Sequence, residues 1–161
     1  MFSPKLLQDF FQFCYVTPDL DAALALYRDR FDVPEFYIEL YPTATRTAFA
    51  WVGETMIELK QPGDDKWGWL YQDALPEAGL RLHHLAYRVR DAQRWSEVVA
   101  GLAAHEIATI PVPTPPEVGL EVLYADTRPQ LGHYIEYIWI KSGFPDYFRF
   151  VPRAPGLDLH G

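Results

Sequence analysis

Two short strings of this sequence recur, and each recurrence carries side chains able to do chemistry. QFCYVTPD at residues 12–19 and HLAYRVRD at residues 84–91 both open on a polar, ligand-capable residue, Gln12 or His84. Both then run through mostly apolar alternation to an aspartate, Asp19 or Asp91. MIELK at residues 56–60 and YIEYI at residues 134–138 each set a glutamate, Glu58 or Glu136, between β-forming apolar residues. An amide oxygen, an imidazole and two carboxylates are donors that a borderline or hard divalent cation accepts, with no thiolate among them. Each residue also has an ordinary reading: a mid-strand glutamate faces water, a histidine is hydrogen-bonded within a sheet, and a glutamine alone signals nothing. Position sets the group apart, because the separation of Gln12 from His84 nearly equals that of Glu58 from Glu136, the mark of an internal repeat.

The elements that must position these residues follow from periodicity. Residues 10–17 alternate as a strand with one buried face, and Asp19 followed by Leu20, Ala23, Leu24 and Tyr27 predicts a capped helix over 19–31, closed at Asp32 and Pro34. FYIELY, RTAFAWV and ETMIELK read as three strands, separated by the turn-prone Pro42-Thr43-Ala44 and by Gly53. The order repeats with a strand over 82–89, a helix from Asp91 to about residue 102, and strands near 105–110, 119–125 and 132–139. IPVPTPPEVG at 110–119 is too rich in proline for regular sheet and predicts a rigid loop long enough to cover a pocket. The stretch 61–80 is a linker, with Trp67, Trp69 and Tyr71 expected to pack over an end of the sheet. The tail after residue 141 is aromatic first and proline-rich later, so its first half is expected to dock and its end to fray.

Strand alternation places the polar residues on faces. Gln12 shares a face with Cys14, Glu58 with Met56 and Lys60, His84 with Ala86 and Arg88, and Glu136 with Tyr134 and Ile138. The other faces carry Phe11, Phe13 and Tyr15; Ile57 and Leu59; Leu85, Tyr87 and Val89; and Ile135, Tyr137 and Trp139, which belong beneath the helices. A slip of one residue would bury any of the four polar residues under a helix. A carboxylate taken out of water must be paired or coordinated, which gives Glu58 and Glu136 a reason for their positions.

This pattern resembles the vicinal oxygen chelate superfamily, the glyoxalase I relatives, over roughly residues 10–140. The resemblance implies an α+β fold of two βαβββ modules in a cupped mixed sheet: one domain over 1–161, with module one at 10–60, a linker at 61–80, module two at 81–140 and a C-terminal tail at 141–161. It implies that Gln12, Glu58, His84 and Glu136, from the first and last strands of each module, ligate a divalent ion: Zn, Ni, Co, Mn or Mg. Two glutamates would balance a dication to zero net charge. The activity implied is that of a lyase or isomerase which removes a proton next to a carbonyl through a metal-stabilised enediolate, on a small carbonyl or thioester substrate. Glu136 would be the base and Glu58 a candidate for the opposite stereochemical face. The superfamily offers two alternatives, a metal-free binding protein like the bleomycin-resistance branch and an extradiol dioxygenase. The dioxygenase triad needs two histidines and one glutamate, and Gln12 at the first-strand position departs from it. Both paired and swapped modules occur in the family, so a homodimer is open to the chain.

Other polar residues are assigned more modestly. Arg88 and Lys60 share the ligand face and could hold a substrate carboxylate, and Tyr134 lines the pocket. His83 faces away from His84, at the surface or supporting the site from behind, while His105, His133 and His160 form no cluster. The net charge of −8 disfavours nucleic acid, which requires a basic face. Apolar runs fall far short of the ~20 residues that span a bilayer, no signal segment is evident, and one cysteine, Cys14, excludes an internal disulfide framework. The expectation is a cytoplasmic protein with a small-molecule substrate and no membrane partner.

Overall fold

The computed structural model describes residues 5–40, 45–64 and 68–155. The expected turn at Pro42-Thr43-Ala44, together with Trp67 and His160, lies outside the described residues. Those described form an α+β arrangement, β1 (Phe10–Val16), α1 (Leu20–Phe31), β2 (Tyr37–Leu40), β3 (Arg46–Val52), β4 (Thr55–Gln61), α2 (Gly68–Gln72), β5 (Arg81–Val89), α3 (Ala92–Ala104), β6 (Thr109–Val112), β7 (Leu120–Ala125), α4 (Arg128–Leu131) and β8 (Tyr134–Ile140). Apart from the short α2 and α4, this is βαβββ written twice. The repeated aspartates explain both long helices. Asp19 accepts a hydrogen bond from the Ala22 amide at 3.0 Å and Asp91 one from the Arg94 amide at 2.8 Å, each satisfying an amide that the first helical turn leaves open.

The chain gathers into two compact units whose ends are exchanged relative to the expected modules: one comprises Gln12–His83 with the residues from Phe150, the other the residues up to Phe11 with His84–Arg149. Of the three passages of the chain from one unit to the other, two fall immediately before a candidate ligand, Gln12 or His84, and the third lies between Arg149 and Phe150.

In the first unit the sheet runs β2-β3-β4-β1, with β1 parallel to β4 and the other pairs antiparallel. Leu20, Ala23, Ala48, Ile57 and Leu59 bury one face beneath α1, with Phe13, Tyr15 and Tyr27 packed around them. The opposite face carries Gln12, Cys14, Met56, Glu58 and Lys60, as the register Gln12↔Met56 and Cys14↔Glu58 requires. Residues after Phe150 return to this unit, where Trp51 and Ala154 exchange backbone hydrogen bonds with Pro152 and Trp51, each at 2.8 Å.

In the second unit the order is β5-β8-β7-β6, with β5 parallel to β8. Tyr87, Val89, Val98, Leu102, Leu123, Ala125, Ile135 and Tyr137 form its core, and Val98 and Leu102, one helical turn apart, are α3's contribution to it. Burial of a side chain of this size is worth about 1.5–3 kcal/mol.

Three expectations are corrected. β6 spans Thr109–Val112 rather than 105–110 and includes Pro111, which a sheet tolerates here because β6 pairs only with β7 within this unit's sheet order. The proline-rich loop is correspondingly shorter and contains a single 3-10 turn, Pro116–Val118. Phe11 does not join Phe13 and Tyr15 beneath α1; its ring lies 5.6 Å from Phe148 and 5.0 Å from the Arg88 guanidinium, while Phe10 meets Tyr87 at 5.7 Å. Phe10 and Phe11 thus alternate with the second unit and Phe13 and Tyr15 with the first, so the two-residue period restarts at Gln12.

Candidate metal centre

Each unit places one polar pair on the sheet face away from its helix, and the two pairs have equivalent registers. Gln12 pairs with Met56, two residues before Glu58, and His84 pairs with Tyr134, two residues before Glu136. The repeat seen in the sequence is therefore a repeat of strand pairing as well as of residue type.

In the first unit Gln12 donates from Nε2 to the Met56 thioether at 3.3 Å, which leaves Oε1 buried with no hydrogen bond among the described residues. Glu58 Oε1 lies 3.1 Å from Lys60 Nζ, its neighbour on the same face of β4. Lys60 in turn donates to the Tyr71 hydroxyl at 3.3 Å and sits 4.3 Å above that ring. Tyr71 comes from α2, in the stretch expected to be linker. Its ring stands 4.7 Å from His83, whose Nε2 donates to the Leu70 carbonyl at 2.7 Å. His83 is buried rather than at the surface, and Trp69 is 51% exposed rather than packed down.

In the second unit His84 Nε2 lies 3.1 Å from Glu136 Oε2, yet that carboxylate oxygen is buried and this approach lacks hydrogen-bond geometry. Tyr124, the register partner of Glu136, sets its ring edge-on to His84 at 5.2 Å and to Tyr134 at 5.9 Å. Arg128 lies 4.5 Å over the Tyr134 ring and is anchored by Asp126, whose carboxyl its guanidinium holds below the usual carboxylate range. Arg88 stands on the His84 face, beside the paired rings of Phe11 and Phe148.

Taken unit by unit, the donor atoms suit a divalent cation on chemical grounds. An amide oxygen and a carboxylate oxygen can only accept, and both Gln12 Oε1 and Glu136 Oε2 are buried without a hydrogen bond. A cation satisfies such atoms, and leaving them unmet costs about 1–3 kcal/mol each, more for a charged group.

The glyoxalase/bleomycin resistance protein/dioxygenase superfamily profile matches residues 11–124, well over half of the chain. The chain belongs to this superfamily. Solved structures with the glyoxalase-like fold include methylmalonyl-CoA epimerase from Mycobacterium tuberculosis, 17% identical, with 88% of this chain and 93% of that one covered and a TM-score of 0.63. A hypothetical protein from Bacillus halodurans is 20% identical over 86% of this chain and 98% of its own, with a TM-score of 0.63. A single-residue variant of Streptomyces coelicolor methylmalonyl-CoA epimerase, bound to 2-nitronate-propionyl-CoA, is 19% identical over 83% of this chain and 97% of its own, with a TM-score of 0.59. At these identities the likeness shows the fold. No curated protein matches the chain. No helix among the described residues is long and apolar enough to cross a membrane.

Sequence reasoning named the four ligand candidates and Arg88, Lys60 and Tyr134, and missed what holds them. Tyr124 was accessible from alternation in LEVLYA, since β7 must set every second residue toward Glu136. Tyr71, on the five-residue α2, and Asp146 and Phe148, in the segment after β8, had no comparable signal.

Proposed function

We propose that the chain is a divalent-metal-dependent isomerase or lyase of the glyoxalase type, removing a proton from a carbon next to a carbonyl in a small carbonyl compound or an acyl thioester. The observation that carries this reading is Glu136 Oε2, a buried carboxylate oxygen beside His84 Nε2 at 3.1 Å with no hydrogen bond among the described residues. In this reading Gln12, Glu58, His84 and Glu136 serve one ion, and the two units work as one domain over residues 1–161. Zn, Ni, Co, Mn or Mg suits the donors, and when bound such an ion supplies electrostatic stabilisation of negative charge on the substrate's carbonyl oxygen.

The chain's own residues divide the work unequally. Glu136 takes the proton, because its oxygen is the carboxylate atom that no donor engages. Glu58 has its charge answered by Lys60, which Tyr71 holds from behind, so it serves as a fixed ligand. Where the product is the mirror configuration, Glu58 is the candidate for the opposite face, relaying a proton drawn from solvent. Tyr134 lines the pocket, held beneath Arg128. Counting Lys60 changes the charge balance drawn from sequence alone, since two carboxylates, one ammonium and a dication sum to a positive site. A positive site favours a substrate that is anionic or becomes so as the proton leaves. The epimerases of similar fold, one with an acyl-CoA analogue bound, support acyl thioesters within the substrate class.

The test is deuterium exchange at the carbon next to the carbonyl, across hemithioacetals, 2-oxo acids and acyl thioesters, with metal present and chelated. Metal-dependent exchange is expected, falling by about 10² to 10⁴ in Glu136→Gln, the usual contribution of a general base. Exchange that survives unchanged in that variant removes Glu136 from its role. A wild-type protein that binds these compounds but exchanges none is instead a sequestering protein of the bleomycin-resistance kind.

A further inference from the structure

Three cations stand on or beside the faces that carry the candidate ligands, and two of them are closely answered. Lys60 lies 3.1 Å from Glu58, and Arg128 donates twice to Asp126 at 2.8 Å. Arg88 is different. Its guanidinium donates no hydrogen bond to any described residue, and its ion partner, Asp146 Oδ2, is 3.6 Å away. The guanidinium lies beside the Phe11–Phe148 ring pair, 5.0 Å from the first centroid and 5.8 Å from the second, and the side chain is 27% exposed. A guanidinium set beside aromatic rings, whose donor fork makes no hydrogen bond among the described residues, is prepared for a planar anion that takes two hydrogen bonds at once.

Its place relative to Glu136 is set by register. Arg88 pairs with Ile138 and Ala86 with Glu136, so Arg88 stands two residues along β5 from the level of Glu136. At ~3.3 Å per strand residue this is about 7 Å. Asp146, on the segment after β8, is half exposed; its other oxygen, Oδ1, accepts the Phe148 amide at 2.9 Å, which turns that segment back toward Arg88.

We propose that Arg88 recognises a carboxylate of the substrate and that Asp146 is its resident, displaceable counter-ion. The substrate class is then carbonyl compounds with a second, terminal carboxylate about 7 Å from the carbon that loses its proton. Substrate binding exchanges one carboxylate for another on Arg88 and frees Asp146 to water. The placement of the reacting carbon rests on the proton-abstraction reading, whereas the anion site itself does not.

The experiment uses glutarate as a dicarboxylate probe, titrated into chelated protein at low ionic strength and followed by calorimetry and NMR. Asp146→Asn removes the competitor and is expected to tighten glutarate by at least about fivefold. Arg88→Gln is expected to weaken it by at least about tenfold, the scale of a charge-assisted bidentate contact, with Arg88→Lys between them. Thermal unfolding of each variant confirms that it is folded. Binding that weakens or stays the same in Asp146→Asn overturns the counter-ion role, as does Arg88→Lys binding no worse than wild type. Because no turnover is involved, the expected order with no deuterium exchange would sink the proton-abstraction reading and leave the anion site standing; exchange without that order would do the reverse.

Discussion

The Lys60 ammonium lies 3.1 Å from the Glu58 carboxylate, with the two side chains 10% and 6% exposed. Alternation on β4 makes the pair inevitable once Glu58 faces away from α1, since residues two apart share a face. The equivalent glutamate of the second unit, Glu136, has Ile138 at the corresponding position and His84 at the same 3.1 Å separation. One unit thus sets a permanent positive charge beside its glutamate, and the other an imidazole that makes no hydrogen bond to it.

Lys60→Met is therefore expected to destabilise the protein by about 3 kcal/mol, because it removes the charge that compensates a buried carboxylate. The double variant Lys60→Met, Glu58→Gln should recover most of that loss in chemical denaturation. If Glu58 is a ligand, a divalent ion substitutes for the missing ammonium, and the metal-induced rise in Tm should be larger in Lys60→Met than in wild type. An equal rise in both would detach Glu58 from the ion.

His84→Ala tests the other pair. Metal content after purification without chelator or affinity tag should fall at least tenfold, whereas His83→Ala should keep its metal and lose stability, since His83 anchors Leu70 and Tyr71 and not the site face. Equal metal in wild type and His84→Ala would remove the imidazole from the ligand set.

How much of this was legible beforehand depends on whether a residue's neighbours are set by its own strand. Asp19 and Asp91 announced both helices, and Gln12, Glu58, His84 and Glu136 came out on the expected faces, because caps and two-residue alternation are local rules. Phe11 broke the alternation because the chain leaves one unit for the other at that point, which no periodicity records. Pro111 looked like a strand breaker and sits in β6, where its missing amide costs no pairing with a further strand in its unit. Asp146 lies in a segment with no period and Tyr71 on a helix of five residues, too short to show one, so their roles beside Arg88 and Lys60 appear only in three dimensions.

Gly119 fixes how the segment after β8 lies. It adopts φ +61, and a Cβ there would overlap the Phe144 ring. Gly119→Ala should cost about 2 kcal/mol, roughly half from the left-handed backbone and the rest from displacing Phe144. In a Phe144→Ala background only the backbone part should remain, a coupling that a double-variant cycle measures. Additive costs would mean that the ring swings away freely.

Tyr137 makes stability fall in alkali. Its hydroxyl is buried with no hydrogen bond among the described residues, and burial, with a smaller contribution from Tyr87, raises the phenol to about 12, against an opposing effect of Arg94. Tyr27 is likewise raised to about 12, by burial and then by Tyr15. A phenol that stays protonated longer in the folded state than in the unfolded chain leaves stability intact below pH ~10 and erodes it as pH rises through the folded value. A two-unit difference corresponds to a loss on the order of 2–3 kcal/mol for Tyr137 by pH ~12. Tyr137→Phe should be neutral or slightly stabilising at pH 7, because it deletes a buried hydroxyl with no hydrogen bond, and should move the alkaline unfolding midpoint upward. Denaturant titrations at intervals from pH 8 to pH ~12 would test this, and parallel curves for wild type and Tyr137→Phe across that range would show that this phenol does not drive the transition.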